Sequence, residues 1–126
     1  MKILLSDDDP LTLVLLQEHL EKQGYTVVTT TNGWDALAKV ENEGPYDLII
    51  SDIFMPEVSG LMMGNLVKQV FNAKIPLLLI SGSDNDAIRK AVKEIGADAF
   101  FKKPLNMVEF LSCVESYRLK RARSGY

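Results

Sequence analysis

Short apolar runs alternate with longer segments of helical periodicity along the whole chain, and this alternation restricts the fold more than any other feature. The apolar runs cover residues 3–6, 26–30, 48–51, 76–81 and 99–102. Each is followed by an amphipathic or leucine-rich segment of helical length. Five such β–α pairs predict a parallel sheet with helices on both faces, because each right-handed crossover must lie over the sheet. The sequence therefore predicts an α/β, doubly wound, five-stranded parallel sheet with five helices.

Local signals predict where individual helices begin and end. Asp9 precedes Pro10 as an N-cap precedes the first helical residue, and Gly24 follows that helix as a C′ glycine does. The third helix is expected to run to about Phe71. The last helix is expected to begin near Asn106 and to continue into a basic segment.

The length favours one domain followed by a short tail. A chain of 126 residues is long enough to bury a single core. We expect residues 1–120 to form the domain and residues 121–126 to form a basic C-terminal tail. The tail is most simply the solvated C-terminus of the last helix, where basic side chains match the helix dipole, although it could instead begin a linker.

The composition excludes several classes of function. A formal net charge of -3 gives no broad attraction to nucleic acid or to an anionic membrane. The single cysteine, Cys113, cannot form an internal disulfide and is expected to be a small buried residue. The apolar runs are too short to span a bilayer, and the acidic residue Asp7 follows too early for a signal peptide. We therefore predict a cytoplasmic protein that binds neither nucleic acid nor membrane through this domain.

Polar side chains follow four of the predicted strands. Asp7 and Asp8 come after the first strand, Asp52 after the third, Ser81 closes the fourth and Lys103 follows the fifth. In open parallel sheets, functional groups gather beyond the carboxyl ends of the strands. These five side chains are therefore predicted to converge on one site.

The chemistry of this group favours a hard divalent cation and a phosphoryl group. Clustered carboxylates repel one another unless a cation neutralises them, and oxygen ligands favour magnesium or manganese. Lys103 offers a point charge and Ser81 a hydroxyl donor to phosphoryl oxygens. From the residues alone, Asp52 is either the phosphoryl acceptor or another metal ligand.

Four motifs in order carry a family resemblance. They are LLSDDDP at residues 4–10, IISDIFMP at 49–56, LISG at 79–82 and FKKP at 101–104. Together they resemble the receiver domain of bacterial two-component response regulators. The resemblance covers nearly the whole chain and implies the flavodoxin-like strand order 2-1-3-4-5.

The resemblance also implies roles at the metal site. Asp52 would be the phosphoacceptor. Mg2+ would be bound by Asp8, by Asp52 and by the backbone carbonyl of Phe54, while Asp7 would act largely through water.

Two further roles concern the response to phosphorylation. Ser81 and Lys103 would contact the phosphoryl group. Phe100 stands at the position of an aromatic switch residue that turns inward as Ser81 moves, although it lacks the hydroxyl of the more common tyrosine.

The function implied is a phosphorylatable switch in a two-component phosphorelay. Its phosphoryl group would come from a histidine kinase or a histidine phosphotransfer protein, and it would act on an output domain or a downstream protein. Such a domain is not an enzyme beyond its own phosphoryl transfer and dephosphorylation. The alternatives are a magnesium-dependent phosphatase, which would usually carry an aspartate in place of Phe54, and a pseudo-receiver that serves only for binding.

The first helix offers a candidate docking surface. His19 is expected on its core-facing side, together with Leu15. Leu11 and Val14 fall outside the core stripe, so we expect them to be exposed, where they could form part of a patch for a histidine-bearing partner helix.

Overall fold

The computed structural model describes residues 1–72 and 74–124. In this part of the chain, five strands alternate with five helices. The strands are β1 (Lys2–Ser6), β2 (Thr26–Thr30), β3 (Leu48–Asp52), β4 (Leu77–Ser81) and β5 (Ala99–Lys102). The helices are α1 (Pro10–Lys22), α2 (Gly33–Glu43), α3 (Gly60–Leu66), α4 (Asp86–Glu94) and α5 (Met107–Ser124). Every strand bound lies within one residue of the run predicted from the sequence.

All strand pairs are parallel, and the sheet has the order β2-β1-β3-β4-β5. The predicted fold class and strand order are therefore confirmed. β3 and β4 are buried at every position, as strands covered on both faces must be.

Two apolar cores lie on opposite faces of the sheet because successive strand side chains point to opposite sides. On one face, strand residues such as Leu4 and Ile49 pack beneath α2, α3 and α4. On the other, residues such as Leu5 and Ile50 pack beneath α1 and α5. Full burial of one such side chain stabilises the fold by roughly 1.5–3 kcal/mol, so both layers of helices are required.

The predicted start and end of α1 are confirmed. Asp9 is its N-cap: Oδ1 accepts a hydrogen bond from the backbone N of Leu11 at 3.2 Å, and Oδ2 accepts one from Thr12 Oγ1 at 2.7 Å. The hydrogen bond from Thr12 holds the pKa of Asp9 below its usual value. Gly24 follows the helix with a φ of 91°, a conformation that favours glycine.

The sequence-based assignment of the faces of α1 was wrong for Leu15. Its buried residues are Leu13, Leu16 and Leu20, whereas Leu15 is 51% exposed and His19 is only partly buried. The buried stripe follows i, i+3 and i+7 from Leu13, and Leu15 lies outside this stripe. Leu11 is exposed as predicted, and so is Val14. Cys113, predicted to be buried, is partly buried against the core under α1 and α5.

The third helical segment contains a feature that was not predicted. Regular α-helix ends at Leu66 and continues as a single π turn, Val67–Phe71. The backbone N of Asn72 donates to the carbonyl of Val67 at 2.8 Å, which is the i to i+5 pattern of a π turn. Val70 and Phe71 are consequently exposed rather than aligned with the buried Val67.

The basic segment at the end of the chain continues α5. The helix extends to Ser124, across the predicted boundary at residue 120, and Gly125 and Tyr126 lie outside the described residues. Arg121 pairs with Asp47, at 2.7 Å between Nε and Oδ1. None of the described helices is both long and apolar enough to cross a membrane.

Candidate functional site

The carboxyl ends of four adjacent strands bring the predicted side chains to one edge of the sheet. Asp7 and Asp8 follow β1, Asp52 is the last residue of β3, Ser81 is the last residue of β4, and Lys103 follows β5. In the observed order, β1, β3, β4 and β5 are consecutive neighbours, which places their ends side by side.

Lys103 lies at the centre of the site. Its Nζ donates to Asp7 Oδ2 at 2.8 Å and to Asp52 Oδ2 at 3.0 Å. Its backbone N donates to the carbonyl of Ser81 at 2.8 Å, which ties the loop after β5 to the end of β4. One ammonium group thus bridges two carboxylates that are 45 residues apart in the sequence.

The carboxylates form a tight cluster. Asp7, Asp8 and Asp52 each offer an oxygen, and these oxygens lie within 4.8 Å of one another. Asp7 and Asp52 are buried, whereas Asp8 is exposed. The backbone holds Asp7 in place, because its N donates to the carbonyl of Thr30 at 3.2 Å and its Oδ1 accepts from the backbone N of Asp9 at 3.0 Å.

Burial and like charge act on Asp52 in the same direction. Burial raises the pKa of Asp52, the hydrogen bond from Lys103 lowers it, and the charge of Asp7 raises it again, so that the net shift is upward. Burial alone would lower the pKa of Lys103, but its hydrogen bonds to Asp7 and Asp52 outweigh that effect and raise it. The site therefore favours a cation beside Asp52, whose buried carboxylate is costly to ionise.

The donor set fits a magnesium ion. Three carboxylates supply hard oxygen ligands, and no cysteine or histidine belongs to the cluster in the described residues. Asp8 is exposed, so an ion held there would keep water ligands, while the buried Asp7 and Asp52 would supply further oxygens.

Three further residues were predicted to belong to the site. Ser81 is fully buried, and its Oγ accepts from the backbone N of Ser83 at 3.0 Å. The backbone N of Phe54 donates to Asp52 Oδ1 at 3.4 Å, and its side chain is 56% exposed. Phe100 lies on β5, partly buried against the core under α2, α3 and α4.

Gly60, which the sequence analysis did not assign to the site, contacts its backbone. A Cβ at Gly60 would lie 2.0 Å from the carbonyl oxygen of Asp52 and 3.0 Å from Ser51 Oγ. The N of Gly60 also donates to the carbonyl of Ile53 at 2.8 Å. The first residue of α3 therefore packs directly on the end of β3, and only glycine fits there.

We expect Gly60→Ala to destabilise the domain by roughly 1–3 kcal/mol, the usual cost of overpacking. Because the clash is with the backbone of Asp52, the substitution should also weaken magnesium binding. Gly82→Ala is the matched control, since a Cβ there would have nothing within 4 Å. Thermal melts and magnesium titrations of both variants check this; equal melting temperatures would contradict the close approach.

The fold and the site together define the class of doubly wound α/β domains with an acidic, lysine-bridged site at the carboxyl ends of the strands. The family model described as the response regulator receiver domain matches residues 3–115. The chain belongs to this family, whose members are signalling switches in two-component systems.

Curated relatives agree with this assignment. The chain is 36% identical over 107 residues to the alkaline phosphatase synthesis transcriptional regulatory protein PhoP of Bacillus subtilis, covering 83% of this chain and 43% of PhoP. It is 28% identical over 116 residues to the polar-differentiation response regulator DivK of Brucella anthropi, covering 91% of this chain and 94% of DivK. The chain thus spans about half the length of PhoP and of several other relatives, and nearly all of DivK.

Solved structures share the fold. The chemotaxis response regulator CheY4 of Vibrio cholerae matches with a TM-score of 0.84 and 27% identity, covering 92% of this chain and 97% of CheY4. A CheY-like receiver domain protein from Methanospirillum hungatei matches with a TM-score of 0.89 and 25% identity, covering 97% of this chain and 96% of that one.

Proposed function

We propose that Asp52 accepts a phosphoryl group and that the domain changes its partner-binding surface in response. The observation that carries the proposal is the position of Lys103 Nζ, within 3.0 Å of both Asp7 and Asp52. That ammonium group pairs with the two carboxylates and could instead donate to an oxygen of a phosphoryl group bound at Asp52. Membership of the receiver family gives the same expectation.

The reaction needs little covalent chemistry from the protein. A carboxylate oxygen of Asp52 forms the new P–O bond, and the bond between phosphorus and the donor's leaving group breaks. The leaving group departs with the electron pair and takes up a proton. Positioning and charge are the main contributions to such a transfer.

Four groups are proposed to hold the metal ion. Asp7, Asp8, Asp52 and the backbone carbonyl of Phe54 would hold Mg2+, with Asp7 acting largely through water. When bound, the ion supplies positive charge to the phosphoryl oxygens. The cluster of three carboxylate oxygens within 4.8 Å supports this set.

Ser81 and Phe100 would carry the response. We propose that the Ser81 hydroxyl donates to a phosphoryl oxygen, which requires the loop after β4 to move. Phe100, on the neighbouring strand, would turn inward as that loop moves. The surface formed by α4, β5 and α5 would then differ between the two states.

A histidine kinase or a histidine phosphotransfer protein is the proposed donor. Leu11, Val14 and Leu15 are exposed on α1. Leu15 also lines a groove of about 460 Å³, together with Thr12, Leu16, Lys103, Pro104, Leu105 and Met107. This apolar face adjoins Lys103, so a partner helix docked on it would carry its histidine near Asp52.

The proposed output is an attached domain or a separate protein. Relatives such as PhoP are named transcriptional regulatory proteins and extend beyond the matched region. By analogy, this domain would control an attached output domain, with residues 121–126 as a basic connection, or a separate downstream protein. A cytoplasmic location belongs to the same proposal.

Mass spectrometry tests the phosphoacceptor directly. The protein is incubated with a small phosphodonor and magnesium, and the modified residue is mapped after reductive trapping of the acyl phosphate. Modification at Asp52 that chelator prevents would support the proposal. Modification elsewhere, or steady turnover of simple phosphate esters as by a phosphatase, would contradict it.

Lys103→Ala is expected to slow phosphorylation by roughly ten- to hundredfold, because one charge-assisted hydrogen bond is worth about 1.5–3 kcal/mol. It should also abolish the phosphorylation-dependent change in hydrogen exchange around Phe100. The cooperative thermal transition should persist, because Lys103 is a polar group at a strand end. Lys102→Ala, at the exposed neighbouring residue, is the control. A Lys103→Ala protein that does not fold would instead assign Lys103 a structural role.

A further inference from the structure

Arg89 forms a two-pronged ion pair with Asp84 at the start of α4. Its Nε donates to Oδ1 at 2.6 Å and its Nη2 donates to Oδ2 at 2.7 Å. The Asp84 side chain is 19% exposed, against 64% for Arg89. Exposed ion pairs usually contribute little, but bidentate arginine–carboxylate geometry is the main exception. The same hydrogen bonds hold the pKa of Asp84 below its usual value.

This pair closes the loop that links Ser81 to α4. The loop begins with the hydrogen bond from the backbone N of Ser83 to Ser81 Oγ. It ends at Asn85, the N-cap of α4, whose side chain accepts from the backbone N of Ile88 at 2.9 Å. Asp84 lies between these two anchors, so its bond to Arg89 fixes the middle of the loop to the helix.

The Arg89 guanidinium also lies over the aromatic ring of Phe100. The distance from Cζ to the ring centroid is 6.0 Å, within the range of a cation–π contact. Arg89 and Phe100 also line one cavity of about 270 Å³ with Val92, Lys93, Ala97 and Ala99. The ring therefore has free space beside it, and Arg89 is one wall of that space.

We propose that Arg89 is a positioning residue that couples the loop after Ser81 to the orientation of Phe100. Its hydrogen bonds to Asp84 hold the loop, and its cation–π contact holds the ring. The inference rests on the proposed function, because it concerns the response of Ser81 and Phe100 to a phosphoryl group. Movement of the loop toward that group would release Arg89 and, with it, the ring.

The effect of Arg89 on the switching equilibrium follows from the arrangement in which its contacts are made. Both contacts belong to the arrangement in which the loop and the ring are held against α4, so they stabilise that arrangement. Removing them shifts the population toward the rearranged state, and a ligand that prefers the rearranged state then binds more tightly. Arg89 thus raises the threshold for switching and does not contact the reacting atoms.

The variants Arg89→Gln and Asp84→Asn test this, with Lys90→Gln as the matched control. Lys90 is on the same helix and forms a looser pair with Glu94 at 3.9 Å. The first readout is made on the unmodified protein, by fluorine NMR after labelling with 4-fluorophenylalanine. The signal of Phe100 is assigned by its loss in Phe100→Leu. We expect it to shift in both test variants, and hydrogen exchange of residues 82–88 to accelerate roughly three- to tenfold.

The second readout is the affinity for beryllofluoride with magnesium, used as a phosphoryl mimic. We expect roughly threefold tighter binding in Arg89→Gln and in Asp84→Asn, and no further gain in the double variant, because both act through one contact. An unmoved Phe100 signal, or a shift of equal size in Lys90→Gln, would overturn the proposal. A shifted signal with unchanged beryllofluoride affinity would overturn the coupling as well. Failure of the proposed function is distinguished by wild-type protein that is never modified at Asp52.

Discussion

Asp52→Asn is expected to abolish phosphorylation, reducing uptake from a small donor to the background of the method. The asparagine amide keeps the size of the side chain but has no nucleophilic carboxylate to form an acyl phosphate. Uptake is measured by intact-protein mass spectrometry in magnesium. Asp9→Asn is the control, since Asp9 lies close in sequence but acts as the N-cap of α1, a role that asparagine also fills. Normal uptake by Asp52→Asn would refute the assignment of the phosphoacceptor.

The same variant should also change how the stability of the fold depends on pH. The pKa of Asp52 is raised above 3.8 chiefly by burial, so the folded protein binds this proton more tightly than the unfolded chain does. The contribution of Asp52 to stability should then fall as the pH rises from about 3.8 through the raised pKa. Asp52→Asn removes that dependence. In chelator, the melting temperature of Asp52→Asn relative to that of the wild type should therefore rise between pH 4 and pH 7.

Much of the site could be predicted from the sequence because its geometry follows from topology. Asp7 and Lys103 are 96 residues apart, yet both follow strands of one parallel sheet. Once the alternation of strands and helices is recognised, their meeting at one edge requires no knowledge of side-chain packing. The N-cap at Asp9 was predictable for a similar reason, since it depends only on a few neighbouring residues.

The features that the sequence did not reveal depend on contacts between elements. The π turn at Val67–Phe71 has no local sequence signature, because proline and glycine are absent from that segment. Leu15 is exposed because α1 packs on the sheet through Leu13, Leu16 and Leu20, and not through the helix face that includes Leu15. Nothing in the sequence other than the glycine itself indicated the contact of Gly60 with Asp52, because the contact joins α3 to the end of β3.

Phe54 is expected to lengthen the life of phosphorylated Asp52. Its backbone N lies 3.4 Å from Asp52 Oδ1, so its side chain begins next to the carboxylate, and it is 56% exposed at the surface. Hydrolysis of the acyl phosphate needs a water molecule in line with the bond that breaks. A phenyl ring has no group to orient such a water and can exclude it. Ser83, two residues beyond Ser81, also lacks the carboxylate or amide that would position water well.

Phe54→Asn should therefore shorten the lifetime by roughly tenfold, which requires a change of about 1.4 kcal/mol in the barrier. One oriented water is sufficient for an effect of that size. Loss of the phosphorylated form in magnesium is followed for both proteins by mass spectrometry after the donor has been removed. Phe71→Asn is the matched control, because Phe71 is an exposed phenylalanine on the π turn, outside the Asp52 cluster. Equal or slower decay in Phe54→Asn would refute the shielding role of the ring while leaving the assignment to the receiver family intact.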